Sequence, residues 1–180
     1  QLDAWPMAAC AFKSLTSVMT RSLNIDGFPI RLQCNPARIK STAAKVDSAS
    51  IRNRPCFLCS SNRPAEQFSR TFIASRNYEI LVNPFPIAPQ HFTIAAEDHI
   101  HQDMINPGDM EAFVRLYPDY IAFYNGSAAG ASAPDHLHFQ ACNKDFLQNL
   151  TDSLAEDPGE LVKYTDGCRF YSCTHLPMFC

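Results

Sequence analysis

Long apolar runs are missing from this chain of 180 residues. No stretch approaches the roughly 20 residues that a membrane-spanning helix needs, so no membrane partner is expected. A basic-then-apolar leader is missing as well, which points to a cytoplasmic setting. Because the first residue is Gln1 and not Met, the native start is expected to lie upstream. Excess positive charge is also missing: 15 Lys and Arg stand against 18 Asp and Glu, a net charge of -3. That excludes bulk binding of nucleic acid through a basic surface, though not a small phosphate pocket built from a few local donors. There is no internal repeat and no low-complexity tract. What is present suits one ordinary domain with appendages: 46% of the residues are hydrophobic and 18% charged, enough apolar material for a core. Eight cysteines is a high count. Without a leader, reduced thiols and metal ligation are favoured over disulfides. Cys168, Cys173 and Cys180 crowd the carboxyl end and read as unpaired or partly buried thiols.

Periodicity sets the expected elements. Residues 7–22 read as an amphipathic helix, with Met7, Cys10, Leu15 and Val18 near one face. Asp26-Gly27 marks a turn, and 28-FPIRLQC-34 alternates as a strand. Residues 35–55 are polar and turn-rich and predict a long loop with one short helical turn. The proline-bounded knuckle 54-RPCFLCSSNRP-64 follows. Next, 78-YEILVN-83 and 91-HFTIAA-96 read as strands joined by 84-PFPIAPQ-90, whose three prolines make a rigid loop. Asn106-Pro107 opens a helix to about Leu116, with Asp109 and Glu111 near its positive end. Then come a strand over 119–125, a loop of small residues, a strand over 136–142, and a helix over about Phe146–Ala155. Short connections between neighbouring strands predict an α+β fold, an antiparallel sheet with helices packed on one side.

Three features carry chemistry. In 136-HLHFQAC-142, strand alternation puts His136, His138 and Gln140 on one face and turns Leu137 and Phe139 into the core. Such a row favours a phosphate or a metal, and a histidine held this way can attack phosphorus; the plain alternative is a strand with a polar outer face. The loop before it, 125-NGSAAGASAPD-135, lets backbone N–H groups approach an anion, with Ser127 or Ser132 adding hydroxyl donors. The C-x-x-C pair Cys56 and Cys59 fits a zinc knuckle or a redox pair. A structural Zn²⁺ site needs two more ligands, and the assignment is Cys56, Cys59, His99 and His136, although spacing alone does not prefer His99 to His101. His91 reads as structural.

Together these motifs resemble the histidine-triad superfamily, in its branch of galactose-1-phosphate uridylyltransferases, diadenosine tetraphosphate phosphorylases and GDP-L-galactose phosphorylases. HLHFQA is most similar to the last group. The resemblance covers about Pro55–Asn143, and the motifs stand in the family's order. It implies a histidine-triad-like catalytic core over 51–145, flanked by an N-terminal extension over 1–50 and a C-terminal helix and tail over 146–180. It implies that His138 is the nucleophile, that Gln140 bonds a phosphoryl oxygen, and that Ser132 holds the departing phosphate. Asn83 and Phe85 take the positions of nucleoside contacts, and Asn125, Gly126, Ser127 and Gly130 form the phosphate loop. The histidine of Asp98-His99 is the one that the family's pattern makes a zinc ligand. Two features depart from that pattern. Ser132 stands four residues before His136, where the uridylyltransferases have three, and only one copy of the fold is recognisable where they carry two.

An amide at 140 cannot act as a general acid, so it suits a leaving group that needs no proton, such as a phosphate. The expected activity is nucleotidyl transfer or phosphorolysis through a nucleotidyl-histidine. The substrates would be a nucleotide sugar or dinucleoside polyphosphate and a phosphate-bearing acceptor, and the assembly is compatible with a homodimer. The rivals are a nucleotide hydrolase, a non-catalytic zinc-containing nucleotide-binding module, and a redox protein using Cys56 and Cys59.

Overall fold

The computed structural model describes residues 1–25, 28–38, 46–147, 160–165 and 168–172. Pro6 opens the first helix, α1 (Pro6–Ser14), at the position where a missing N–H costs nothing. The expected helix over 7–22 does not persist. A 3-10 turn (Leu15–Ser17) ends it, and Met19–Ile25 is a strand, β1, paired antiparallel with β2 (Phe28–Cys34). Thr20, Ser22 and Asn24 are poor helix formers, and the ladder to β2 satisfies the backbone instead. The turn expected at Asp26-Gly27 lies outside the described residues. Within 35–55 the structure has a 3-10 turn (Pro36–Arg38) and a helix α2 (Ser48–Asn53), capped by Asp47, whose carboxylate accepts from Ser50 N–H at 2.9 Å.

The remaining strands are β3 (Ser69–Ile73), β4 (Asn77–Val82), β5 (His91–Ala96), β6 (Tyr120–Phe123), β7 (His138–Asn143), β8 (Glu160–Thr165) and β9 (Cys168–Ser172). Helix α3 (Pro107–Leu116) is capped by Asn106, whose side chain accepts from Gly108 N–H at 3.0 Å. Strand β3 and the β8–β9 hairpin were not expected. Only residues 146 and 147 of the helix expected over 146–155 are described, and they end a 3-10 turn (Lys144–Leu147). Cys173 and Cys180 lie outside the described residues.

The chain divides into two compact units. One comprises Met19–Cys34 and Lys144–Cys180. Its described elements are the β1–β2 and β8–β9 hairpins, and the Arg31 guanidinium stands 5.9 Å above the Phe146 ring. The other, Gln1–Val18 with Asn35–Asn143, holds a five-stranded antiparallel sheet in the order β3-β4-β5-β7-β6.

Strand alternation gives this sheet two different faces. One carries Tyr78, Ile94, Phe139 and Ala141, which pack with Leu137 and with Phe113 of α3 into the main core. Phe139 meets Tyr78 and Phe113 edge-on, at ring separations of 5.5 and 5.7 Å. Buried Asp109 pins α3 to the β3–β4 turn. Its carboxylate accepts from Tyr78 Oη–H at 2.6 Å and from the Ser75 amide and hydroxyl at 2.9 and 2.7 Å. Burial alone would raise Asp109, but these donors hold its carboxyl below the ordinary range. On the opposite face Leu81 and Ala95 pack with Cys56, Leu58 and Ala133, so the knuckle sits over that side of the sheet.

Candidate active site

The face that carries Leu81 and Ala95 also carries the candidate site. On β7, His138 and Gln140 stand on this side, while Phe139 and Ala141 fill the core behind them. The ladder places Ala95 opposite His138 and Thr93 opposite Gln140. A cavity of about 340 Å³ opens here, and His138, Gln140, Ser132, Asn83 and Phe85 all line it. Its apolar wall comes from Trp5 and Met7 near α1 and from Phe57 and Leu58 of the knuckle.

His138 is held in one orientation. Its Nδ1 lies 2.8 Å from the His136 carbonyl, an acceptor only, so Nδ1 carries the proton and donates. Nε2 is therefore left with its lone pair, and it has no hydrogen-bond partner among the described residues. The backbone is fixed from below by Gln102, a fully buried amide. His138 N–H donates to Gln102 Oε1 at 2.8 Å, and Gln102 Nε2 donates to the His138 carbonyl at 2.9 Å and to the Asn125 carbonyl at 2.8 Å. Burial, ahead of every other influence, holds the His138 pKa below the ordinary histidine value.

His136 shares this side of the chain but serves a different place. The β7 ladder begins only at His138, because the His136 amide bonds the Ala133 carbonyl and that of Leu137 bonds the Ile100 carbonyl. The His136 ring is fully buried and turned to the knuckle. Nδ1 lies 3.3 Å from Cys56 Sγ and 3.5 Å from Cys59 Sγ, and Nε2–H donates to the Ala96 carbonyl at 2.8 Å. His99 Nδ1 lies 3.2 Å from Cys59 Sγ. One donor atom from each of Cys56, Cys59, His99 and His136 falls within 4.8 Å of the others. A tetrahedral zinc site with metal–ligand bonds of about 2.0–2.3 Å has ligand–ligand edges of roughly 3.5 Å, so the donor set fits that ion. The His136 tautomer fits too, since its outward nitrogen is already committed to a carbonyl. Asp135 stands 3.9 Å from His99 Nε2 and is itself paired with Arg54 at 2.9 Å. Burial, the largest single influence, pushes Cys56 up, but its bond to His136, the backbone N–H groups of Leu58 and Cys59 and the charge of His136 together outweigh that and bring the thiol down to about 6.

The phosphate-loop residues do not all reach the cavity. Ser132 does, but Asn125, Gly126, Ser127 and Gly130 are not among the residues that line it. The Ser127 hydroxyl donates to the Asp103 carboxylate at 2.9 Å, an acidic partner that occupies its donor. Gly130 has φ +95°, which only glycine adopts without strain, so its role is to turn the loop. The Asn125 carbonyl is taken by Gln102. His101 accepts from the Asp103 amide and caps a 3-10 turn (Gln102–Met104). Sequence reasoning missed Trp5, Gln102 and the part played by His91. The signal for His91 is period-2 spacing, since His91, Thr93 and Ala95 alternate on β5 as His138 and Gln140 do on β7.

An antiparallel sheet with a helix on one face and this histidine row on the other is the histidine-triad-like fold, as the sequence motifs led us to expect. Over residues 1–143 the chain matches the model of a family described as "Domain of unknown function (DUF4922)", and it belongs to that family. Among solved structures it is similar to the yeast Ap4A phosphorylase Apa2, with a TM-score of 0.51 and 16% identity over 90% of this chain and 57% of that one. In sequence it is similar to Protein APA1 of Saccharomyces cerevisiae, 29% identical over 76 residues. That match covers 37% of this chain and 24% of the yeast protein, so the chain spans well under two thirds of either relative. Among the described residues no helix is long and apolar enough to cross a membrane.

Proposed function

We propose that this chain carries the catalytic core of a dinucleoside polyphosphate phosphorylase that works through a nucleotidyl-histidine. The observation that carries the reading is the His138 ring, with its Nδ1 proton tied to the His136 carbonyl and its Nε2 lone pair open to a cavity shared with Gln140 and Ser132. Nε2 attacks the α-phosphorus, the N–P bond forms, and the P–O bond to the departing polyphosphate breaks. No proton has to leave the nucleophile, because Nδ1 keeps its own. The ring becomes a nucleotidyl-imidazolium, whose positive charge the His136 carbonyl stabilises and which is a good leaving group in turn. An oxygen of inorganic phosphate then attacks the same phosphorus, the N–P bond breaks, and the nucleotide leaves one phosphate longer.

Gln140 donates its amide N–H to a phosphoryl oxygen, where charge grows in the transition state. It supplies no proton, and a polyphosphate leaving group needs none. Ser132 at the cavity rim bonds the departing phosphate. Trp5, Phe57 and Phe85 give the nucleoside an apolar and aromatic wall. Cys56, Cys59, His99 and His136 would hold a structural Zn²⁺, which cross-links the knuckle to the start of β7 when bound. The similarity in fold to the yeast Ap4A phosphorylase Apa2 supports dinucleoside polyphosphates over nucleotide sugars as the substrate class.

The test is intact mass spectrometry after mixing the protein with diadenosine tetraphosphate in the absence of phosphate. An adenylyl adduct should form, disappear when inorganic phosphate is added, and be missing from His138→Gly. An adduct that persists in His138→Gly would move the nucleophile elsewhere and defeat the reading.

A further inference from the structure

One buried imidazole next to the cavity is not used by the chemistry above. His91 opens β5 and is 1% exposed. Its Nδ1 accepts from the Ile87 backbone N–H at 3.2 Å. The ring proton is therefore on Nε2, which faces Gln140 Oε1 at 2.9 Å and donates to it. Phe123 stacks on the ring at 5.9 Å, with the planes 22° apart, and keeps it from turning. The same oxygen of Gln140 also faces Asn83 Nδ2 at 3.5 Å. Asn83 has its own direction set, since its Oδ1 accepts from Phe85 N–H at 2.9 Å and its Nδ2 donates to Thr93 Oγ1 at 3.1 Å.

We infer that His91 is a positioning residue that decides which end of the Gln140 amide faces the cavity. The inference rests on the phosphoryl-binding role given to Gln140 above. An amide is nearly symmetric in shape but not in charge. With its oxygen turned inward it would repel a phosphoryl oxygen; with its NH₂ turned inward it stabilises one. Two donors on Oε1 fix the useful orientation before substrate arrives, so no reorganisation is needed during the reaction. The polarity originates in backbone N–H groups of the proline-rich connection 84–90. Phe85 N–H sets Asn83, and Ile87 N–H sets His91. The prolines at 84, 86 and 89 restrict that loop, which keeps both amides aimed. The connection is thus a rigid brace that determines the polarity of the site.

The experiment is a double-mutant cycle on the full chain with diadenosine tetraphosphate and inorganic phosphate, using His91→Phe, His91→Gln, Gln140→Ala and His91→Phe/Gln140→Ala. Gln140→Ala should lower kcat by about 100-fold, the scale of one lost transition-state donor. His91→Phe should lower kcat by at least about tenfold with KM changed less than about twofold, and His91→Gln, which keeps an N–H donor, should recover most of the loss. The double variant should be no slower than Gln140→Ala alone. In parallel, the long-range ¹H–¹⁵N spectrum of the folded wild type should show His91 as the Nε2–H tautomer, a readout that a loss of fold in His91→Phe does not touch. Additive effects in the cycle, or an Nδ1–H tautomer, overturn the inference alone. Turnover unchanged in Gln140→Ala, or missing in the wild type, overturns the role of Gln140 and takes the inference with it.

Discussion

Lowering the pH from 7 to 5 should cost the folded protein about 2 kcal/mol through His91 alone. Burial in the sheet is the main cause of its depressed pKa, which falls from 6.5 to about 4; the bond to Gln140 opposes the shift and the charge of Arg38 adds to it. The other neighbours are uncharged: the Ile87 amide, the Phe123 ring, Gln140, and the Cys142 thiol opposite it on β7, which burial keeps protonated. Between the two pKa values the unfolded chain binds the proton that the folded chain refuses, so stability rises with pH in that window. The contribution is fully present above about 6.5 and lost as the pH falls towards 4. Integrating the difference gives about 2 kcal/mol lost by pH 5 and about 3 kcal/mol by pH 4. Urea unfolding at pH 7, 6 and 5 measures it, with His91→Phe as the reference that cannot titrate. The variant should be less stable at pH 7, because the Ile87 N–H loses its acceptor, by about 1–3 kcal/mol. Its deficit should then shrink by about 2 kcal/mol on going to pH 5, whereas every other titrating group is common to both proteins. A wild-type-minus-variant difference that stays flat across this range refutes the description of His91 as a buried neutral ring.

Three further outcomes are expected. Asp109→Ala, which strands the Tyr78 hydroxyl and the Ser75 amide, should cost about 3 kcal/mol in urea unfolding, the scale of a broken buried charged network, and leave KM unchanged. Phe139→Ala should cost about 3–5 kcal/mol by removing a ring that touches both Tyr78 and Phe113; a loss below about 1 kcal/mol would contradict the packing. Protein grown with zinc should carry about one ion per chain by elemental analysis, and a strong chelator should lower Tm by roughly 10 °C, from about 4 kcal/mol of linked binding energy at 2–4 °C per kcal/mol. Cys59→Ser should show little metal and no chelator response.

Much of the central sheet was readable because its signals are local. The alternation in 136-HLHFQAC-142 separates core from chemistry without knowledge of any partner strand, and Asn106-Pro107 marks a helix start through its own backbone demands. The four residues that meet at the knuckle, Cys56, Cys59, His99 and His136, could be picked out because C-x-x-C and the motif strand are both short-range patterns, although the choice of His99 needed the family resemblance. The failures have a common cause. Met19–Ile25 continues the amphipathic pattern of α1, and only pairing with β2 makes it a strand. Strand β3 is five residues with one buried position, too weak a pattern to stand out. The contact between His91 and Gln140 depends on the β5–β7 register, which joins residues 49 positions apart and is encoded in no single segment. Trp5 reaches the cavity from far outside the motif region for the same reason.

The carbonyl of His136 belongs to the same residue whose ring is turned to the two thiols, and it also receives the Nδ1 proton of the His138 imidazole two positions on. Anything that loosens the knuckle therefore reaches the His138 ring through a single peptide unit. On the proposed function, stripping a bound zinc would slow turnover as though the ion were a reagent, even with no substrate atom ever bound to it. Exchanging zinc for cadmium, which preserves the anchor and changes the Lewis acidity, should leave the rate nearly untouched.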